Sequence, residues 1–275
     1  MILGSFQPLT MPPVIKTIQE KETRTPSGER IAKVIARAGM CSRRDAERWI
    51  SEGRVKIDGN ILSSPAVTVN STNKILVDGK PLPEPPTTRL WRYYKPQGLL
   101  TTHRDPQGRP NLFEKLPQNL PRLISIGRLD LNSEGLLLMT NDGGLARKLE
   151  LPSTGWRRRY RARVHGQVDS KILDKLKEGT TIDGVKYGSI KAVIDRQQNS
   201  NAWITLSLEE GKYREVRKVM QHLGWPVNRL IRIAYGPFQL GNLTKGALIE
   251  VKQKVLREQL GLELKRENSG AHRRR

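Results

Sequence analysis

The chain has 275 residues, enough for one or two domains with a real core. Its 49 lysines and arginines against 27 acidic residues give a formal charge of +22, which points to a polyanionic partner: nucleic acid or an anionic membrane surface. No apolar run approaches the ~18–20 residues of a membrane helix, and the single cysteine, Cys41, excludes an intrachain disulfide and a Cys-rich zinc site.

Residues 1–26 lack periodicity and are expected to form a flexible leader. Met1 to Pro13 carries no basic residue, a poor secretory signal, and an organellar transit peptide would be richer in arginine. The cytoplasm is the expected compartment. From Glu29 the pattern predicts a helix with Ile31, Val34, Ile35 and Ala38 on one face and Gly39 as its stop. Ser42 opens a second helix, with Asp45 in capping-box position and Ala46, Trp49 and Ile50 facing inward; Gly53 ends it. Val55 to Ile61 and Ile75 to Pro81 each read as an alternating strand followed by an Asp-Gly turn. This compact module is placed at 27–80. Its exposed cations, Arg30, Lys33, Arg37, Arg43, Arg44, Arg48, Arg54 and Lys56, cluster on and around the helices. A charge run by itself describes a solvated face as readily as a binding one.

Pro81-Leu82-Pro83-Glu84-Pro85-Pro86 predicts a stiff linker over 81–87. Over 88–257, strands are expected at Trp91–Tyr94, Leu123–Ile126, Leu136–Thr140, Arg161–His165 and Trp203–Leu208. Helices are expected at Leu145–Leu149, Ser170–Lys177 and Tyr213–Leu223. With no regular βαβ repeat, the pattern predicts an α+β fold around a largely antiparallel sheet. Residues 258–275, with Lys265, Arg266 and Arg273 to Arg275, form a basic tail expected to be disordered.

The most informative string is Gly127-Arg128-Leu129-Asp130-Leu131-Asn132-Ser133-Glu134-Gly135, set between two apolar runs. A loop fixed at both ends by core presents one carboxylate, Asp130, beside Arg128. Glycines at 127 and 135 permit tight turns and close approach by another backbone. A positioned carboxylate suits a nucleophile or general base, although an Arg-x-Asp pair is also a common local salt bridge. With Leu136-Leu137-Leu138-Met139-Thr140-Asn141-Asp142-Gly143, the string resembles the signature of the bacterial ribosomal pseudouridine synthases of the RsuA/RluB type.

Other segments extend the resemblance. Arg30 to Gly59, including Cys41-Ser42-Arg43-Arg44-Asp45-Ala46, resembles an S4-type RNA-binding domain, which implies phosphate contacts by Arg43, Arg44, Arg54 and Lys56. Tyr93-Tyr94-Lys95-Pro96-Gln97-Gly98 resembles the Lys-Pro-x-Gly motif opening the catalytic domain, read here as a bend beneath the site or a direct contact. In the polar loop Thr101 to Arg109, the resemblance makes Arg104 and Arg109 candidate RNA contacts. Trp156 to Val164 carries five arginines around Tyr160 and resembles the Lys-x-Tyr-x-Val motif. Tyr160 then matches the base-stacking tyrosine, and Arg158, another RNA-contact candidate, takes the place of the usual lysine. Glu210 to Met220 predicts an amphipathic helix burying Val216, Val219, Met220 and Leu223, with Arg214, Arg217, Lys218 and Gln221 opposite. It resembles a motif whose first arginine, Arg217 here, pairs with the catalytic aspartate.

The resemblance implies isomerisation of a uridine to pseudouridine in ribosomal RNA or a pre-ribosomal particle. The protein is expected to act as a monomer, with no cofactor and no metal. The target base must be flipped out of the stack; Arg128 would brace the vacated space. Attack on C1′, attack on C6 and proton removal from C2′ would each use one carboxylate, and the sequence leaves the three routes open. The S4-type module and basic tail favour ribosomal over transfer RNA, and the tail and the resemblance to the RluB pattern favour large-subunit over small-subunit RNA. A non-catalytic RNA-binding or ribosome-assembly protein would share the charge and the S4-type module, though not a need for Asp130, Tyr160 and Arg217 together. A glycosidase-like hydrolase would want a second carboxylate, for which Glu134 is the neighbour in sequence.

Overall fold

A computed structural model describes residues 28–260; the leader at 1–26 and the basic residues Lys265, Arg266 and Arg273 to Arg275 lie outside them. The first elements are β1 (Glu29–Arg30), α1 (Ile31–Arg37), α2 (Arg43–Ser51), β2 (Val55–Ile57), β3 (Asn60–Ile61), β4 (Thr68–Val69), β5 (Ile75–Val77) and β6 (Lys80–Pro81). The helix expected from Glu29 begins two residues later, because Glu29 and Arg30 pair as a strand with Val69 and Thr68. Ser42 caps α2, its Oγ accepting from the Asp45 amide at 3.0 Å and donating to the Asp45 carboxylate at 2.6 Å. Asp58-Gly59 and Asp78-Gly79 all have positive φ, as a two-residue type I′ hairpin loop requires. These turns close the β2–β3 and β5–β6 hairpins, which join through β2 and β5 into a four-stranded sheet. Ile31, Ile35, Ala46, Ile50, Val55 and Val77 form the core between sheet and helices. Trp49 is only half-buried, its ring covered by the Arg54 guanidinium at 4.7 Å.

No helix or strand occurs between Leu82 and Arg89. Beyond them come β7 (Leu90–Lys95), β8 (Ile124–Ile126), β9 (Glu134–Thr140), α3 (Gly143–Glu150), β10 (Arg158–His165) and α4 (Ser170–Lys175). Then follow β11 (Thr180–Ile182), β12 (Val185–Tyr187), β13 (Ile190–Gln198), β14 (Asn201–Leu208) and α5 (Glu215–His222). The last described elements are β15 (Val227–Tyr235), β16 (Phe238–Gln239), β17 (Leu248–Glu250) and α6 (Gln253–Leu260). The main sheet runs β13-β14-β10-β15-β9-β7-β17, with β16 on β15 and β8 on β9. It is antiparallel apart from the β15–β9 pair, in line with the α+β expectation.

Two cores lie on opposite faces of this sheet. One gathers Tyr93, Leu137, Met139, Tyr160, Ala162 and Leu206 under α4 and α5. The other gathers Leu90, Leu136, Leu138 and Tyr235 under α3 and α6. β9 serves both and is buried along its whole length, which is why it reads as an unbroken apolar run rather than an alternating one. Buried Leu256 anchors α6, which continues to Leu260 and so passes the boundary at 258 where the tail was expected to begin.

Candidate active site

The loop between β8 and β9 is held by its carbonyls. Thr101 Oγ1 donates to Leu129 O at 3.0 Å, and Gly98 N to Leu131 O at 2.9 Å. Lys95 Nζ donates to Asp130 O at 3.2 Å and to Ser133 O at 3.0 Å. Arg217 donates to Asn132 O at 2.9 Å. Every carbonyl from 129 to 133 therefore has a donor supplied from the end of β7 and the turn after it, from Thr101 or from α5. Such a loop has little conformational freedom, and it presents Asp130 with 31% of its side chain exposed.

The two glycines act as their positions require. Gly127 turns the chain at φ +68°, and its N–H donates to Glu150 Oε1 at 2.7 Å. Gly135 lies so close to β15 that an added Cβ would meet Arg232 O at 2.4 Å. That contact docks the end of the loop onto the sheet.

Lys95 is fully buried, and its ammonium also donates to Pro96 O at 3.0 Å. Burial lowers its pKa to about 8, against the nearby negative charges of Asp130 and Glu134. The Lys-Pro-x-Gly segment is thus a bend beneath the loop whose lysine grips the loop backbone.

Asp130 lines a cleft of about 930 Å³ together with Arg128, Tyr160, Arg214, Glu215 and Arg232. Tyr160 faces inward on β10, packed into the core behind the cleft. Arg128 is exposed at the loop. The cation nearest Asp130 is Arg214, at 3.7 Å, not the expected Arg217. Arg214 sits ahead of α5 in the left-handed conformation, φ +52°, so the helix begins at Glu215 instead of Tyr213. Arg217 lies one turn further along α5. Its guanidinium is taken up by two carbonyls, Asn132 O and Val227 O at 2.9 and 2.8 Å, which leaves it bracing the loop rather than pairing with the carboxylate.

Other expected RNA contacts divide by what already occupies them. Arg43, Arg44, Lys56 and Arg128 are exposed and have no acidic partner among the described residues. Arg54 is held in a two-pronged contact by Asp78 at 2.8 and 2.6 Å. Arg109 is held likewise by Asp105, whose carboxyl those bonds push down to about 2. Arg104 reaches across to Asp45 of α2 at 2.8 Å and ties the polar loop to the basic module.

Arg158 departs from expectation most. It is buried, donates to Glu209 O and to the Tyr235 hydroxyl, and lies 4.9 Å over the Tyr235 ring. The alternation of β10 turns position 158 inward with Tyr160, so this arginine lines the cleft wall instead of projecting from the exposed side of the strand.

Two carboxylates near the loop behave differently. Glu134 is 1% exposed and is neutralised by Arg229 at 2.6 Å and Lys245 at 3.1 Å. It does not line the cleft. Glu215 was not singled out from the sequence. It does line the cleft; burial raises its pKa to about 7, and its Oε1 has no hydrogen-bond partner.

A small basic module of two helices and a four-stranded sheet and a mixed-sheet domain, with Asp130 part-exposed in an arginine-lined cleft, define an RNA-modifying enzyme. Comparison with known proteins is consistent throughout. The family described as RNA pseudouridylate synthase matches residues 89–222, and the S4 domain matches residues 29–76. An RNA pseudouridine synthase of Rickettsia felis is 49% identical over 228 residues, covering 83% of this chain and 99% of that one. The ribosomal large subunit pseudouridine synthase B of Pasteurella multocida is 40% identical over 245 residues, covering 86% of this chain and 71% of that one. A crystal structure of a pseudouridylate synthase superimposes with a TM-score of 0.60 at 26% identity, over 84% of this chain and 98% of that one. The chain belongs to the RNA pseudouridine synthases of the RsuA/RluB type, with an N-terminal S4 domain.

Proposed function

We propose that the protein isomerises a uridine of ribosomal RNA, in the large subunit, with Asp130 as the catalytic carboxylate. The observation that carries this reading is the presentation of Asp130. Five consecutive carbonyls, 129 to 133, are bonded, so the Asp130 carboxylate is held in the same cleft as Tyr160 with Arg214 3.7 Å away. A preorganised charged group costs little reorganisation when it acts. The large-subunit assignment rests on the similarity to a protein named for that substrate.

In this account the target nucleotide leaves the stack, and Arg128 occupies the space it vacates. The uracil stacks on Tyr160. Asp130 acts on the flipped nucleotide as the C1′–N1 bond breaks; the base turns, C5 bonds to C1′, and the C5 proton is released. N1 ends protonated, so the product is an isomer of the substrate. Arg214 pairs with Asp130 at 3.7 Å, while Lys95 and Arg217 hold its loop. Arg43, Arg44 and Lys56 of the S4 domain grip phosphates and add salt-dependent affinity with little sequence choice.

The test is a map of pseudouridines in both ribosomal RNAs from cells with and without this protein. The expected result is one or a few sites lost from the large-subunit RNA. Identical maps would overturn the substrate, and sites lost only from small-subunit RNA would overturn the subunit assignment.

A further inference from the structure

The main sheet has a second exposed surface. Along β13, β14 and β10, the α4 and α5 layer covers only the side that carries Tyr160, Ala162 and Val164. β10 alternates strictly, so Arg159, Arg161 and Arg163 project from the other side and are exposed. Cross-strand register sets their neighbours. Arg163 lies between Trp203 and Arg229, Arg161 between Thr205 and Ile231, and Arg159 beside Ser207, with Lys191 beyond it. Arg196 flanks Trp203 on the far side.

Among the described residues of this face, exposed Asp195 holds Arg161 at 2.9 Å while that guanidinium lies 4.8 Å over the Trp203 ring, and Glu209, just past β14, holds Arg157 at 3.0 Å. Buried Glu134 holds Arg229 at 2.6 Å. Arg159 bonds the Gln239 side chain, and neither Arg163 nor Lys191 has an acidic partner among the described residues. A solvated sheet face needs only mixed polar residues. Arg163 lies directly opposite Arg229 and, unlike it, has no acidic partner among the described residues, so an external anion would find its charge free. Outward side chains on one strand repeat every two residues, about 6.8 Å, comparable to the step between successive phosphates of a nucleic acid strand.

We propose that this outer sheet face is a second docking surface for the RNA backbone, on the side of the sheet opposite the cleft. It takes phosphates of a segment remote from the target uridine, and it rests on the reading that the substrate is a large structured RNA. Trp203, held under Arg161, widens the surface without reading sequence.

The test compares the full chain with its Arg159→Gln/Arg161→Gln/Arg163→Gln variant. Binding is measured across a salt titration to a transcribed domain-length ribosomal RNA fragment and to a short uridine-bearing hairpin. For the long RNA, the expected result is at least a tenfold loss of affinity and a salt slope shallower by about 2–3, at roughly 0.7–0.9 per phosphate contact. Hairpin affinity should stay within about twofold. If the triple variant melts early, Arg163→Gln/Lys191→Gln should still flatten the slope by about 1–2. An unchanged slope for the long RNA overturns the proposal. So does loss of binding confined to a poly-glutamate probe, which would assign the face to an acidic protein. Pseudouridine formation by the unaltered chain is scored separately, so failure of the enzymatic reading leaves a different signature from failure of this surface.

Discussion

Lys95 reaches Asp130 through the backbone: its ammonium donates to the Asp130 carbonyl oxygen at 3.2 Å and to that of Ser133 at 3.0 Å. The lysine therefore fixes the loop that carries the carboxylate. Lys95→Met keeps the volume and leaves these carbonyls without their charged donor. Bonds to charged groups contribute about 1.5–3 kcal/mol each, partly offset here by the relieved burial of the charge, so a loss of about 2–4 kcal/mol is expected by denaturant unfolding. Turnover should fall more than RNA affinity, because the loop loosens while the phosphate contacts stay in place. Equal losses in kcat and affinity would contradict this role.

Arg217 spans Asn132 O on the loop and Val227 O at the start of β15. Only a forked guanidinium can serve both carbonyls in fixed geometry. Arg217→Lys should lower kcat at least tenfold, about 1.4 kcal/mol of transition-state stabilisation. Arg214→Gln removes only the 3.7 Å ion pair to Asp130. It should leave the loop in place and lower turnover with the unfolding midpoint nearly unchanged. Turnover measured beside denaturant unfolding separates the two effects: Arg217→Lys should lose both, Arg214→Gln turnover alone.

How much of this was legible depended on whether a residue's neighbours in sequence are also its neighbours in space. The Asp-Gly hairpins and the glycine requirement at 127 and 135 are local, and the sequence showed them. The bonds that lock the loop were not legible, since Lys95, Thr101 and Arg217 are brought to it from distant segments by sheet pairing. Arg214 and Arg217 are both basic and three residues apart, and the expected helix put them on one face. Only the left-handed backbone at Arg214 decides which of them meets Asp130. Arg158 read as another surface cation because burial of an arginine depends on Tyr235 and on the Glu209 carbonyl, far along the chain.

Glu215 makes stability depend on pH. Burial raises its pKa from 4.5 to about 7, so between those values the folded protein holds a proton that the unfolded chain has released. This term is fully present below pH 4.5 and is lost as pH rises through 7. Glu215→Gln, which never ionises, should match the parent in acid and exceed it above pH 7 by up to about 3 kcal/mol. Urea unfolding from pH 4 to pH 7.5 checks the sign, and a constant difference between the two proteins would contradict the assignment.

The most direct test of the account is tritium release from 5-tritiated uridine in ribosomal RNA by Asp130→Asn, measured beside its RNA affinity and its unfolding curve. Asparagine keeps the size and shape of the side chain but is neither a nucleophile nor a base near neutral pH. The account predicts no detectable release, near-normal RNA binding and a loss of stability of no more than about 1 kcal/mol, because the Arg214 pair is partly solvent-exposed. Normal release by a folded Asp130→Asn protein would contradict the central role of this carboxylate.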